Sequence, residues 1–191
     1  MENLLDSNEE KYFWWWANEL KDIGFIEKIE LQPKPFDLSS SIKSVYDKQL
    51  KTKIKEVEET LLNKHIYTTD VKITWNKSAL DIFTTLLDSR VKKTENRSLT
   101  YIISQINENN EIISYVEVKP SFDQNNMTRL AKINQKWVWE KHGLFVNIVI
   151  PEKHFNKTFT PKKFLFTDKS GKPRKIKYKN IVTLDKLTSK L

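Results

Sequence analysis

Residues 111–120, EIISYVEVKP, constrain this chain more than any other stretch. The run is apolar and rich in β-branched residues, so it reads as a largely buried strand. Strand alternation puts Glu117 and Lys119 on one side, with Val116 and Val118 on the other. Burying an acid and a base in an apolar strand is costly unless each has a partner. The tripeptide Glu117-Val118-Lys119 is therefore either an ion pair at a strand end or part of a site. Its spacing alone does not choose between them.

The neighbouring stretches supply a frame. Residues 99–106 and 112–119 pattern as a hairpin turning at Asn107-Glu108-Asn109-Asn110. Residues 125–142 read as a helix, with Met127, Leu130, Ala131, Asn134, Val138 and Lys141 along one side and Gly143 as its stop. LFVNIVI, 144–150, reads as a buried strand closed by Pro151. Strand, helix, strand in that order implies a right-handed crossover between two parallel neighbours.

Upstream, residues 7–23 read as the first helix. Ser7 and Glu10 form a capping-box pattern and Gly24 terminates it. Phe13, Trp14, Ala17, Leu20 and Ile23 make an apolar stripe bordered by Glu10. Trp14-Trp15-Trp16 covers more of the circumference than one stripe needs, so core packing and a stacking surface for bases are both open. Residues 25–38, with Pro33 and Pro35, read as extended or edge strand. Residues 42–64 read as a long charged helix with a thin apolar face of Val45, Leu50, Ile54, Val57, Leu61 and Leu62. HIYTTDVKITW, 65–75, alternates as a strand and contains Asp70; a second apolar run, 79–87, contains Asp81, and 88–98 is a polar loop. Residues 164–178 pattern as a hairpin turning at Asp168-Lys169-Ser170-Gly171, followed by a short helix from Thr183.

Composition then narrows the chemistry. Without cysteine, disulfides, thiolate catalysis and Cys-based zinc sites are excluded. His65, His142 and His154 show no ligand spacing. With three glycines and no Walker or dinucleotide fingerprint, a glycine-rich phosphate cradle is not expected. At 191 residues the chain is one globular domain, without the roughly 18-residue apolar run that spans a bilayer. No targeting signal is visible at the N-terminus, and a cytoplasmic protein is expected. The net charge of +8 is unevenly distributed, with Lys162, Lys163, Lys169, Lys172, Arg174, Lys175, Lys177 and Lys179 crowded into the tail. Such a field suits the phosphates of a nucleic acid, and it equally keeps an exposed hairpin soluble. What remains is carboxylate and lysine chemistry. Phosphodiester cleavage needs acids to hold a divalent cation, and a buried lysine beside them can position or help deprotonate water.

The order of these pieces resembles the PD-(D/E)xK nuclease superfamily. The resemblance rests on a helix with Glu10, a strand opening on Asp70, then Glu117-Val118-Lys119-Pro120, a helix, and a buried strand. Residues 6–10, Leu31-Gln32-Pro33 and Ile66-Tyr67-Thr68-Thr69-Asp70 look like a phage group of small endonucleases. Lys136-Trp137, Gly143-Leu144-Phe145 and Ile148-Val149-Ile150 are similar to the nuclease subunit of Tn7-type transposases and to phage head-completion nucleases. The resemblance covers roughly residues 5–155.

It implies an α/β, restriction-endonuclease-like core over 1–155, a mixed β-sheet flanked by helices. A helical insertion at about 42–64 and a basic C-terminal β-hairpin within 156–191 complete that expectation. Asp70 and Glu117 would ligate Mg2+ (or Mn2+), with the Val118 carbonyl beside them. Lys119 would orient the water, and Glu10 would complete the acidic cluster, with Glu9 as its fallback. Asp81 competes with Asp70, because Val71 stands where the family has an aromatic residue and the gap to Glu117 is long. Gln135 could reach the site from its helix or lie on the surface. The implied function is metal-dependent cleavage of DNA, with a homodimer partner or a phage or transposition complex as further partners. Two rivals are a non-catalytic DNA-binding or virion-assembly protein of the same fold, and an RNA-binding module using tryptophans and lysines.

Overall fold

The computed structural model describes residues 5–87, 102–121, 127–166 and 181–189. Helix α1 (Asn8–Asp22) starts where its side chains say it should. Ser7 Oγ accepts from the Glu10 amide at 3.1 Å, and the Glu10 carboxylate takes the Ser7 hydroxyl at 2.7 Å and the Asp6 amide at 3.1 Å. It stops in a Schellman motif: Phe25 N–H donates to the Leu20 carbonyl, Gly24 N–H to that of Lys21, and Gly24 sits at φ +83°.

Strand β1 (Ile26–Leu31) forms one edge of a six-stranded sheet, in keeping with the prolines that follow it. It pairs with β6 (Val71–Trp75), and β6 pairs antiparallel with β9 (Ile112–Val118). Beyond β9 the sheet forks. β8 (Ile102–Ile106) pairs antiparallel with the start of β9, and carries β7 (Thr84–Leu86) on its other side. β10 (Val146–Val149) pairs parallel with the end of β9, from Val146↔Tyr115 to Val149↔Val118. Asn147 closes the fork: its buried amide donates to the carbonyls of Ile103 (2.9 Å) and Tyr115 (3.1 Å) and accepts from Ile103 N–H (2.8 Å). A side-chain amide thus replaces the missing backbone ladder, where unpaired groups would be costly.

Helices flank this mixed sheet on both faces. α1, with α3 (Pro151–Phe155), α4 (Lys162–Phe166) and α5 (Leu184–Thr188), covers an apolar core containing Phe13, Trp16, Leu20, Ile73, Val116 and Phe159. α2 (Met127–His142), the crossover between β9 and β10, packs on a smaller core of Phe36, Leu38, Tyr67, Val138 and Val146. Ala131, Asn134 and Val138 turn inward as the stripe predicts, while Leu130 is exposed. Beneath α2, β2 (Phe36–Ser39) and β5 (His65–Tyr67) form a separate two-stranded sheet. The tryptophan triplet goes chiefly to packing: Trp14 and Trp16 are buried and Trp16 donates to Thr158 Oγ1, while Trp15 is half-buried against Tyr12. Among the described residues no helix is long and apolar enough to cross a membrane.

Three expectations change. Residues 65–75 are not one strand: β5 and β6 belong to different sheets, with 68–70 outside both strands. The segment about 42–64 is not a helical insertion. It is a hairpin of β3 (Ile42–Gln49) and β4 (Ile54–Leu62), with Leu50 N–H closing the turn onto the Lys53 carbonyl. The positions 50, 54, 57 and 61 fit a helical stripe, but no core meets that stripe. Pairing two strands instead satisfies the backbone, and Ile42, Val45, Ile54, Val57 and Thr60 have the β-branched side chains strands favour. In the tail, the start of the expected hairpin, 164–166, is helical within α4; residues 167–180 lie outside the described residues, while the helix after Thr183 is present as α5.

Replacing Asn147 by Ala should lower stability by about 2 kcal/mol, because the Ile103 N–H and the Tyr115 carbonyl lose this partner in a part-buried setting, while the Ile103 carbonyl keeps the Ser114 hydroxyl. Urea unfolding should show a lower midpoint at unchanged slope.

Candidate active site

The register between β6 and β9 builds the site. Val71 pairs with Val116, so Asp70 stands opposite Glu117 at the next position, on the face away from the α1 core. β6 has no further residue with which to pair, and the Asp70 carboxylate itself takes up the Val118 amide at 2.6 Å. The Asp70 backbone is held too: its carbonyl accepts from the amide of Gln32, which follows β1 at φ +43°. Two carboxylates, from separate strands, thus face one another at the ends of those strands.

Each is held by named partners. Glu117 is buried, and its Oε2 accepts from the Tyr67 hydroxyl at 2.7 Å. Its Oε1 meets the Lys119 ammonium at 2.6 Å, a pair with little solvent around it. Lys119 is anchored through its own amide to the Val149 carbonyl of β10. Tyr67 comes from β5, and burial together with the Glu117 charge pushes its phenol far above the usual range, so it remains a donor. Burial also raises Asp70, with the charges of Glu117 and then Glu10 adding to it, against the Val118 amide and Lys119 which lower it; the result is about 7.

The chain brings together Asp70, Glu117, Val118 and Lys119. Glu10 stands near enough for its charge to act on Asp70, but its carboxylate is engaged in the α1 cap. Glu9 occupies the first turn beside it, without a share in that cap. Asp81 is elsewhere: it sits at φ +61° before β7, across the sheet beyond β8, with its amide bound to the Thr84 carbonyl. Gln135 donates to the carbonyl of Val146, at the end of β10 remote from Val149. Lys162 and Lys163 fold back on the body. The Lys162 ammonium pairs with Asp185 at 2.9 Å and its amide donates to Glu19, while the Lys163 ammonium lies 5.6 Å from the Trp15 ring centre. Lys169, Lys172, Arg174, Lys175 and Lys177 lie outside the described residues. Sequence reasoning missed Tyr67. Its only signal was a tyrosine three residues before Asp70 in an alternating run.

The donor set suits a hard cation. Two facing carboxylates repel each other while unpaired, and a divalent ion reverses that repulsion. No group of three His, Cys, Asp or Glu side chains is gathered for a metal among the described residues. Magnesium needs only one or two carboxylates, with water completing its shell. No protein-family model, curated protein or solved structure matches the chain.

Asp70 sets up a pH test together with His154, which is fully buried against Trp16 and Phe13; burial lowers its pKa from 6.5 to about 3. Native Asp70 holds a proton that the unfolded chain releases, so its contribution to stability grows as pH falls from about 7 towards 4. Native His154 refuses a proton that the unfolded chain takes, so its contribution shrinks as pH falls below 6.5. The two oppose each other in the wild type. In Asp70→Asn, stability should fall relative to wild type by about 1.4 kcal/mol for each pH unit between 6.5 and about 4. Parallel curves for the two proteins would show that Asp70 titrates normally.

Proposed function

We propose that this chain is a metal-dependent endodeoxyribonuclease of the PD-(D/E)xK type. The reading rests on one observation: Asp70 and Glu117 face each other across β6 and β9, with Lys119 paired to Glu117 on the same face. In that reading Asp70, Glu117 and the Val118 carbonyl would hold Mg2+, or Mn2+ in its place. When bound, the cation supplies charge for the pentacovalent phosphorus and acidifies its water.

The chain's own residues do the rest. Tyr67 fixes the Glu117 carboxylate by donating to one oxygen, leaving the other to Lys119. Lys119, recessed and anchored to β10, orients the attacking water and carries positive charge towards the phosphate as negative charge develops there. The Glu10 charge raises the electrostatic demand for a cation at Asp70. A phage or transposition assembly, or a second copy of the chain, would present the DNA.

A second reading, a non-catalytic DNA-binding or virion-assembly protein of the same architecture, draws support from Glu117, both of whose oxygens already have protein partners. An RNA-binding module is disfavoured, since Trp14 and Trp16 are buried.

Supercoiled plasmid should be nicked with Mg2+ or Mn2+, and EDTA should abolish the cleavage. Glu117→Ala should remove nicking while DNA binding survives, and Lys119→Met should slow it about 10²–10⁴-fold. Nicking that persists in Glu117→Ala would overturn the reading. Binding without cleavage under either metal would favour the non-catalytic protein.

A further inference from the structure

The β3–β4 hairpin contributes no residue to either apolar cluster and is exposed along nearly its whole length. Its strands run roughly 25 Å, far more than a connection between β2 and β5 requires. Register and alternation sort its side chains sharply. One face carries Ser44, Tyr46 and Lys48 opposite Glu59, Val57 and Lys55. The other carries Lys43, Val45, Asp47 and Gln49 opposite Thr60, Glu58, Glu56 and Ile54. Lysines gather at the far end of the first face, and Lys51 and Lys53 extend them around the turn. Carboxylates gather on the second, where Lys43 and Glu58 form an ion pair.

This sorting opposes hairpin stability. Lys48 lies directly across from Lys55, and Asp47 directly across from Glu56; like charges in such positions destabilise a ribbon. Exchanging the neighbours Lys55 and Glu56 would turn both repulsive pairs into attractive ones at no change in net charge. The chain instead keeps one face basic, with the exposed Tyr46 ring beside the lysines.

We propose that the β3–β4 hairpin is a nucleic-acid arm whose Lys48/Lys55 face and Lys51/Lys53 turn grip the backbone of duplex DNA. The proposal rests on the nuclease reading in taking DNA as the polyanion. A two-stranded ribbon fits the major groove of B-form DNA. Lysines there contact phosphates without reading bases, so the arm holds the duplex by charge and leaves sequence unspecified. Tyr46 supplies an apolar surface for sugar or base between those contacts.

The test measures binding of a labelled DNA duplex in EDTA, where cleavage plays no part. The exchange variant Lys55→Glu/Glu56→Lys should bind about tenfold more weakly than wild type. Its plot of log affinity against log salt should be shallower by about one. Lys48→Ala/Lys55→Ala should flatten that plot by about two. Asp47→Asn, on the opposite face, should leave affinity within about twofold and serves with thermal unfolding as the control for folding. An exchange variant that unfolds at or above the wild-type temperature and binds DNA with wild-type affinity and salt dependence overturns the arm. So does one that binds normally but changes oligomeric state, which would assign the ribbon to contact between copies. Loss of nicking in Glu117→Ala bears on the catalytic reading alone, since the arm is scored by binding without metal.

Discussion

Two carboxylates meeting across adjacent strands set the terms for much of this molecule. Asp70 and Glu117 would repel one another and resist burial if left alone. The chain answers with four donors: Tyr67 from β5, the Val118 amide at the end of β9, Lys119 just beyond it, and Gln32 holding the Asp70 backbone. The small β2–β5 sheet has little core of its own, yet it delivers the hydroxyl that orients Glu117. The residual imbalance shows in Asp70, which stays near neutrality in its titration instead of ionising as an ordinary aspartate would.

The fork in the sheet serves the same end. β9 needs β8 at its start and β10 at its finish, and only β10 brings the Val149 carbonyl to Lys119. Splitting a strand's edge between two neighbours leaves a gap in the ladder. Asn147 fills that gap with three hydrogen bonds from one side chain. A polar residue in an otherwise apolar strand thus has a structural task, and the lysine's position rests partly on it. On the opposite face, the aromatic core under α1 holds the sheet rigid, and His154 is buried there as a neutral ring.

Charge is also sorted at longer range. Glu10 caps α1 and at the same time places a negative charge near Asp70. Lys162 and Lys163, which look like phosphate binders in a list of residues, are drawn back onto Asp185, Glu19 and Trp15. In the hairpin, by contrast, Lys48 and Lys55 face each other across the strands instead of an acid, while Lys43 pairs with Glu58 on the opposite face.

Much of the frame was legible in the sequence because its signals are local. Ser7, Glu10 and Gly24 bound α1, the turn at 107–110 joins β8 to β9, and Gly143 ends α2 at φ +63°. Alternation alone put Glu117 and Lys119 on one face. Pairing partners are not local, and there the sequence was ambiguous or misleading. Residues 42–64 fit a helical stripe as well as a ribbon, and only the absence of a core to receive the stripe, with a strand partner across a four-residue turn, decides for the ribbon. Asp81 competed with the favoured Asp70 until the β6–β9 register set Asp70 opposite Glu117 and left Asp81 beyond β8. Tyr67 carried only the weak signal of its place before Asp70, and Asn147 none, since their partners lie 50 and 44 residues away. By itself the sequence determined which residues could do chemistry and, where caps and turns are local, where helices and strands begin and end. Tertiary structure decided which of them meet, because a buried charge is tolerated only where distant strands bring it a partner.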